Sequence, residues 1–405
     1  MAAAAVAALI VAAPAHAAPR RWVGAWAAAQ QVPEPANALP ANALADATLR
    51  QVVRVSAGGP ALRIRVSNLF GTAPLRIDAA HLAREAAPGS GAIVAASDRA
   101  VTFEGRAEVT VPAGAEYLSD PVVLAVKPFE RLAISLHFPE APRGQTGHPG
   151  SRTTSFYLPG AHVADAELPG ATRVAHWYAL SGVELAAPAK AAAVVTFGDS
   201  ITDGHGVGPD RDQRWPDVLA ERLAADPRTA GLSVLNLGIG GNRLLLDGLG
   251  PNALARFDRD VLDQPGVRAV IILEGVNDLG TATRDGPISP AAHRQLVAEM
   301  IGAYRQMADR ARARGLKVIG ATILPFAETP TYHPTAEHEA DRQALNAWIR
   351  APGSFDAVID FDAALRDPAH PERLRPAFDS GDHLHPSVAG YRAMAQAVPL
   401  GLFAR

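Results

Sequence analysis

The sequence predicts two units, an all-β sandwich in the N-terminal half and, after it, an α/β unit built on a doubly wound parallel sheet. Three observations predict this. From about Arg21 to Leu185, apolar and polar residues alternate in short runs, the period of half-buried strands. Beyond that, apolar β-branched runs alternate with helical patterns, the signature of parallel strands joined by crossover helices and covered on both faces. The length of 405 residues also exceeds what a single hydrophobic core usually serves.

The elements follow in order. Residues 2–13 are a continuous Ala/Val/Leu/Ile run, closed by Pro14 and the small-x-small triplet Ala15-His16-Ala17. This reads as a secretory signal over residues 1–17, with Ala18 as the mature start and a secreted or periplasmic location. The run is too short to span a bilayer. No Lys or Arg precedes it, so one feature of such signals is missing and the true start is expected upstream. Within the β unit, taken as residues 18–188, Leu62, Ile64 and Val66 alternate with Arg63, Arg65 and Ser67. Leu132, Ile134, Leu136 and Phe138 repeat the pattern. Ala57-Gly58-Gly59-Pro60 and Pro112-Ala113-Gly114 are turns between such runs, which suggests a jelly-roll-like sandwich of unreadable topology. Ala186-Ala187-Pro188-Ala189-Lys190 has the composition of a linker, and the α/β unit is taken as residues 189–405. Its predicted strands are 193–197, 233–237, 269–273, 318–323 and 357–359. The predicted helices are 215–223, 253–262, 291–314, 335–350 and one running from Val388 towards Phe403.

Composition narrows the function. Hydrophobic residues make up 48% of the chain, enough for two cores, and the net charge of −3 argues against a nucleic-acid partner. The absence of cysteine removes disulfides, thiolate metal sites and a thiol nucleophile together. No second apolar run has the length of a membrane span, and nothing sets an oligomeric state.

In a doubly wound sheet, reactive groups gather in loops at the carboxyl ends of the strands. The first predicted strand ends in Gly198-Asp199-Ser200-Ile201-Thr202-Asp203-Gly204. The second ends in Asn236-Leu237-Gly238-Ile239-Gly240-Gly241-Asn242, and the third in Glu274-Gly275-Val276-Asn277-Asp278. After the last comes Asp382-His383-Leu384-His385-Pro386. Acyl transfer requires a nucleophile, a base, a group that orients the base, and donors for the oxyanion. Ser200 in its glycine-led turn supplies a hydroxyl, and His385 can take its proton. Asp382, three residues earlier, reaches the other ring nitrogen if the segment turns. Gly241 can bring a backbone N–H close to a reacting carbonyl because no Cβ intrudes. The Asn277 amide and the Ser200 N–H are further donors.

These blocks match, in order, the four signature blocks of the SGNH (GDSL-type) hydrolases, which the chain resembles from about Ala192 to Phe403. Ile201 stands where the older consensus has Leu, one apolar residue for another. The resemblance implies a flavodoxin-like three-layer α/β/α sandwich with a parallel sheet. It implies Ser200 as nucleophile, Asp382 and His385 as its triad partners, and Ser200, Gly241 and Asn277 as the oxyanion hole. The N-terminal half is similar to the β-rich domain that precedes the catalytic domain in some bacterial members.

Other readings are weaker. Gly238-x-Gly240-Gly241-Asn242-Arg243 lacks the third glycine of a dinucleotide loop and follows the second strand, so no cofactor is expected. The elbow G-x-S-x-G is absent. His383, His385 and Asp382 are close in sequence, but the triad already takes two of them, so no metal is expected. His383 reads as a bystander, and Asp203 and Asp278 read first as solvated turn residues and second as loop-orienting groups. Arg50, Arg54, Arg63 and Arg65 read as a solvated outer face rather than a surface for an acidic polysaccharide. Trp177 and Tyr178 read as core rather than a sugar platform. Phe326 and Tyr332 are better placed to line a pocket, though core remains the first reading. The expected activity is hydrolysis of small acyl esters, such as acetyl, on a small molecule or polysaccharide. The alternatives are lipase or lysophospholipase activity, or a silent glycan-binding protein.

Overall fold

The computed structural model describes residues 21–188 and 190–404. The signal predicted over residues 1–17, Ala18 and Ala189 lie outside the described residues. The N-terminal part is two facing antiparallel sheets. One has the order Trp22–Ala27, Leu180–Ala186, Leu62–Ser67, Glu116–Leu118. The other runs Thr172–Val174, Ser155–Pro159, Ala47–Arg54, Arg131–Phe138, Ala79–Arg84, Arg99–Ala100. The chain passes back and forth between the sheets in the interleaved order of a jelly roll, with the strands at Ser155–Pro159 and Thr172–Val174 added at one edge. Leu49, Val53, Ile64, Val66, Ile134 and Val183 from the two sheets share one core.

Leu62–Ser67 keeps the predicted alternation, but Arg131–Phe138 is buried on both faces. The reason lies outside the strand. It is central in its sheet, and the loops carrying Gly91 and Val163 fold over its outer face, where a fully buried Arg50 bonds Ser135 Oγ at 2.8 Å and the carbonyls of Gly91, Val163 and Asp165. The four arginines therefore do not form a solvated face. Arg63 and Arg65 close on the buried Glu184 at 2.6 and 2.5 Å, and Arg54 reaches Glu221 at 2.8 Å. Trp177 and Tyr178 are core, the indole N–H donating to the Val52 carbonyl and the phenol to that of Asn37.

The C-terminal part is a parallel five-stranded sheet with helices on its faces. Its order is Leu232–Gly238, Ala192–Gly198, Val267–Leu273, Lys317–Ala321, Ala357–Ile359. Numbered within the sheet this is 2-1-3-4-5, the flavodoxin-like winding, which places a crevice between the carboxyl ends of the first and third strands. The central strands are buried along nearly their whole length, as their unbroken apolar runs require. The helix predicted over 253–262 is α-helical over Ala253–Phe257 and widens to π geometry over Asp258–Leu262. The last helix stops at Ala397, ahead of Pro399.

The two parts are packed tightly together. Val23 and Ala27 of the first strand, and Ala29 just after it, belong to the α/β core. Along the outer edge of Leu232–Gly238, Ser56 Oγ accepts from Val234 N and donates to its carbonyl, both at 3.0 Å, and Ser233 Oγ donates to the Gly24 carbonyl. The otherwise open edge of the parallel sheet is thus covered by the jelly roll. Among the described residues, no helix is long and apolar enough to cross a membrane.

Candidate active site

The first parallel strand ends at Gly198, and the chain turns into a one-turn helix, Ser200–Asp203. Asp199 caps it, its side chain accepting from Ile201 N at 2.9 Å. Ser200 opens the helix at its N-terminus, where backbone N–H groups have no partner within the helix. The Ser200 hydroxyl lies 2.8 Å from His385 Nε2, and His385 Nδ1 lies 2.6 Å from Asp382 Oδ2. The turn that makes this possible is held by Asp382 itself, whose Oδ1 accepts from the N–H groups of His385 and Leu384 at 2.8 and 3.0 Å. Burial opposes ionisation of that carboxyl, but the hydrogen bonds from the His385 ring and from the two backbone N–H groups outweigh it. They hold the group well below the usual carboxylate range. Ser200 is 6% and His385 8% exposed, so the bond between them is shielded from competing water, while Asp382 stays partly open to solvent.

Gly241 and Asn277 stand on the neighbouring strand ends, linked through Asn242. Gly241 has φ 70°, a left-handed conformation that favours glycine, and a Cβ there would push the exposed Leu249 side chain aside. The Asn277 amide donates to the Asn242 carbonyl at 2.7 Å, and its oxygen accepts from the Tyr332 hydroxyl at 2.5 Å. That contact fixes which way the amide faces and leaves its second N–H free to point elsewhere. Beneath these loops Arg256, fully buried, bonds the carbonyls of Gly198 and Leu237, Asn242 Oδ1 and Glu274 Oε1. One guanidinium thus ties together the ends of three strands. Burial, followed by the nearby Asp199 charge, pushes the Glu274 carboxyl up despite this partner.

Two aspartates depart from the expected solvated turns. Asp278 is 4% exposed and accepts from Leu244 N and Leu245 N, shaping the loop that follows Gly241. Asp203 is 1% exposed and takes His148 Nε2 at 3.0 Å, a bond that crosses from the jelly roll to the nucleophile turn. Phe326 is core, whereas Tyr332 is at the site. His383 is exposed and bonded to Asp379, outside the Ser200–His385–Asp382 chain.

Sequence reasoning missed Arg256, His148 and His205. The His205 ring stacks on His385 with centroids 4.0 Å apart. Partial burial, then the neighbouring charges of His385 and Arg152, push its pKa down to about 4, so it is neutral at neutral pH although the residue is exposed. Its position five residues after Ser200 was the one available signal. His205, Asp382 and His385 offer ligand atoms within 4.8 Å of one another. Two of those groups already share a 2.6 Å hydrogen bond, and a cation would have to displace its proton. The donor set therefore fits proton transfer better than metal binding.

Fold and geometry together define a class: an α/β/α domain presenting a hydrogen-bonded hydroxyl, imidazole and carboxylate at the switch point of its sheet. Residues 196–393 match the model of the GDSL-like lipase/acylhydrolase family and belong to it, and the chain is an ester hydrolase. A GDSL-like lipase from Bacteroides thetaiotaomicron is 24% identical over 51% of this chain and 84% of its own, with a TM-score of 0.37. An acetyl xylan esterase from Geobacillus stearothermophilus is 20% identical over 51% of this chain and 92% of its own, with a TM-score of 0.37. No curated protein matches the chain.

Proposed function

We propose that the chain is a secreted serine esterase acting on short-chain acyl esters of carbohydrates. Ser200 Oγ attacks the ester carbonyl while its proton passes to His385 Nε2, and Asp382 stabilises the resulting imidazolium. The tetrahedral oxyanion is held by the N–H groups of Ser200 and Gly241 and by Asn277 Nδ2. The alcohol departs with the proton from His385. Water, deprotonated by the same ring, then releases the acid and restores Ser200. The observation that carries this reading is the unbroken hydrogen-bond path from Ser200 through His385 to Asp382, at 2.8 and 2.6 Å.

The short acyl group is argued from the loops. The Leu249 side chain against Gly241 offers a small apolar contact, and no long hydrophobic insertion separates the catalytic blocks. The exposed Leu246, three residues away, favours a second reading in which a longer acyl chain lies across both leucines. Export is supported by the apolar run and the Ala15-His16-Ala17 triplet. The corresponding division is a signal over residues 1–17, a β unit over 18–188 and a catalytic unit over 189–405.

A fluorophosphonate probe tests the chemistry: the wild type should label at Ser200, and Ser200→Ala should neither label nor turn over 4-nitrophenyl acetate. A silent binding protein would leave both proteins unlabelled. A 4-nitrophenyl ester series from acetyl to dodecanoyl tests the acyl half, and kcat/KM highest at long chains would overturn the short-acyl assignment.

A further inference from the structure

A second polar cleft lies beside the Ser200 site, at the junction of the two parts of the molecule, with a volume of about 300 Å³. Gln31, Glu34, Asn37 and Arg152 line it from the jelly roll, and Asp203 and Leu249 line it from the α/β domain. Two of its lining residues are close along the chain to groups of the Ser200 site. Asp203 ends the one-turn helix that Ser200 begins, and the cleft-lining Gly240 precedes Gly241, against which Leu249 packs.

The polar groups of this cleft are fixed but not all satisfied. The Glu34 carboxylate is oriented by the amides of Gln31 and Asn37 at 2.8 and 2.7 Å. Asp203 takes His148 on one oxygen, while its other oxygen is buried and has no partner. A Cβ at Gly150 would collide with that carboxylate, so glycine there is what lets the jelly roll come this close. Arg152 Nε is likewise buried without a partner. The Arg152 backbone is held in the left-handed region at φ 50°, its carbonyl accepting from Asp210 N, and Asp210 in turn takes the Thr154 hydroxyl and N–H. A non-glycine residue persists in that conformation only where its surroundings over-determine it.

We infer that this cleft is the subsite for the alcohol half of the ester, and that it takes a neutral polyhydroxylated alcohol, a sugar ring, with Arg152 and Glu34 bonding its hydroxyls. The inference rests on the esterase reading and gives it the second half of its substrate. An apolar alcohol would displace water from the Arg152 donors and the Glu34 carboxylate and give them no partner in return. An anionic alcohol would meet Arg152 but also the Glu34 and Asp203 carboxylates. Adjacent sugar hydroxyls both donate and accept, so they satisfy a fork of N–H donors and a carboxylate at once. The jelly roll then selects the substrate, while the α/β domain performs the acyl transfer.

The test compares an acetylated neutral monosaccharide, an acetylated uronic acid and 4-nitrophenyl acetate on the full chain. The variants are Arg152→Asn, Arg152→Lys and Glu34→Gln. Asn tolerates the left-handed backbone, so the first variant removes the guanidinium without straining the turn. The expected result is a fall in kcat/KM on the neutral sugar ester about 10–100-fold larger than on 4-nitrophenyl acetate, carried mainly by KM. Arg152→Lys should show a smaller selective loss, and Glu34→Gln a loss in the same direction. Equal changes on the sugar ester and the aryl ester, in all three variants, would overturn the subsite while leaving the esterase reading intact. A larger selective loss on the uronic acid ester than on the neutral one would overturn the neutral-sugar assignment. A wild type that hydrolyses none of the three would overturn the esterase reading together with this inference.

Discussion

Asn277 is held at both ends of its amide, by the Asn242 carbonyl and by the Tyr332 hydroxyl, so its remaining N–H has a single direction before any substrate arrives. A donor fixed in advance reorganises little when negative charge develops. Asn277→Ala is expected to lower kcat for 4-nitrophenyl acetate on the order of a hundred- to a thousandfold with the fold retained by circular dichroism. Tyr332→Phe releases one end of the amide and should cause a smaller loss; wild-type kcat in that variant would show that the phenol does not position it. Asp199 sits directly before the nucleophile. Burial pushes its carboxyl up to about 7, against the Ile201 N–H, and burial likewise raises Asp278 to about 6. The folded protein thus retains protons that the unfolded chain, at 3.8, has already released. The stability contributed by these groups is full below 3.8 and declines as pH rises through about 6 and 7. Asp199→Asn keeps the helix cap but cannot titrate, so its melting temperature should fall less than that of the wild type over this range. Parallel pH profiles would rule out Asp199 as a source of the slope.

The one-turn helix at Ser200–Asp203 is too short to be stable alone, and its position depends on what grips it. Asn236 holds the Thr202 carbonyl at 2.8 Å, and from the jelly roll His148 holds Asp203. The His148 ring faces the Ala29 carbonyl at 2.8 Å on its other nitrogen, and it stacks on Trp177 at 5.7 Å. His148→Ala would leave the Asp203 charge buried without its partner, a loss of about 3–5 kcal/mol. The expected signature is a lowered melting temperature with kcat falling more than KM rises, since the nucleophile turn loosens while the binding surfaces persist. His148→Gln, which keeps one donor, should recover part of kcat. A variant with wild-type kcat and only reduced stability would mean that this clamp does not position Ser200.

At the scale of the molecule, the jelly roll and the α/β domain share a core through Val23, Ala27 and Ala29 and share an ion cluster in which Arg131 meets Asp210 and Asp212 at 3.0 and 2.7 Å. Removing the jelly roll would expose the edge of Leu232–Gly238 and take apolar residues out of the second core. Calorimetry of the full chain is therefore expected to show one unfolding transition, with calorimetric and van't Hoff enthalpies in agreement. Two resolved transitions would show that the parts fold independently.

The sequence by itself determined the two element patterns, the five parallel strands to within about two residues, and the polar blocks at their carboxyl ends. These were legible because periodicity and turn chemistry are local, and a parallel sheet brings its strand ends together by construction. Only the tertiary structure decided that Ser200 and His385, 185 residues apart, lie within hydrogen-bond reach. It also decided that Asp203 is buried against His148, that Arg256 ties three strands together, and that Arg50, Arg63 and Arg65 face carboxylates and carbonyls rather than water. No local rule reveals these, because the charge and burial of a side chain are set by neighbours that arrive from distant parts of the chain. The jelly-roll topology was hidden for the same reason: alternation tells which face of a strand is apolar, not which sheet the strand joins.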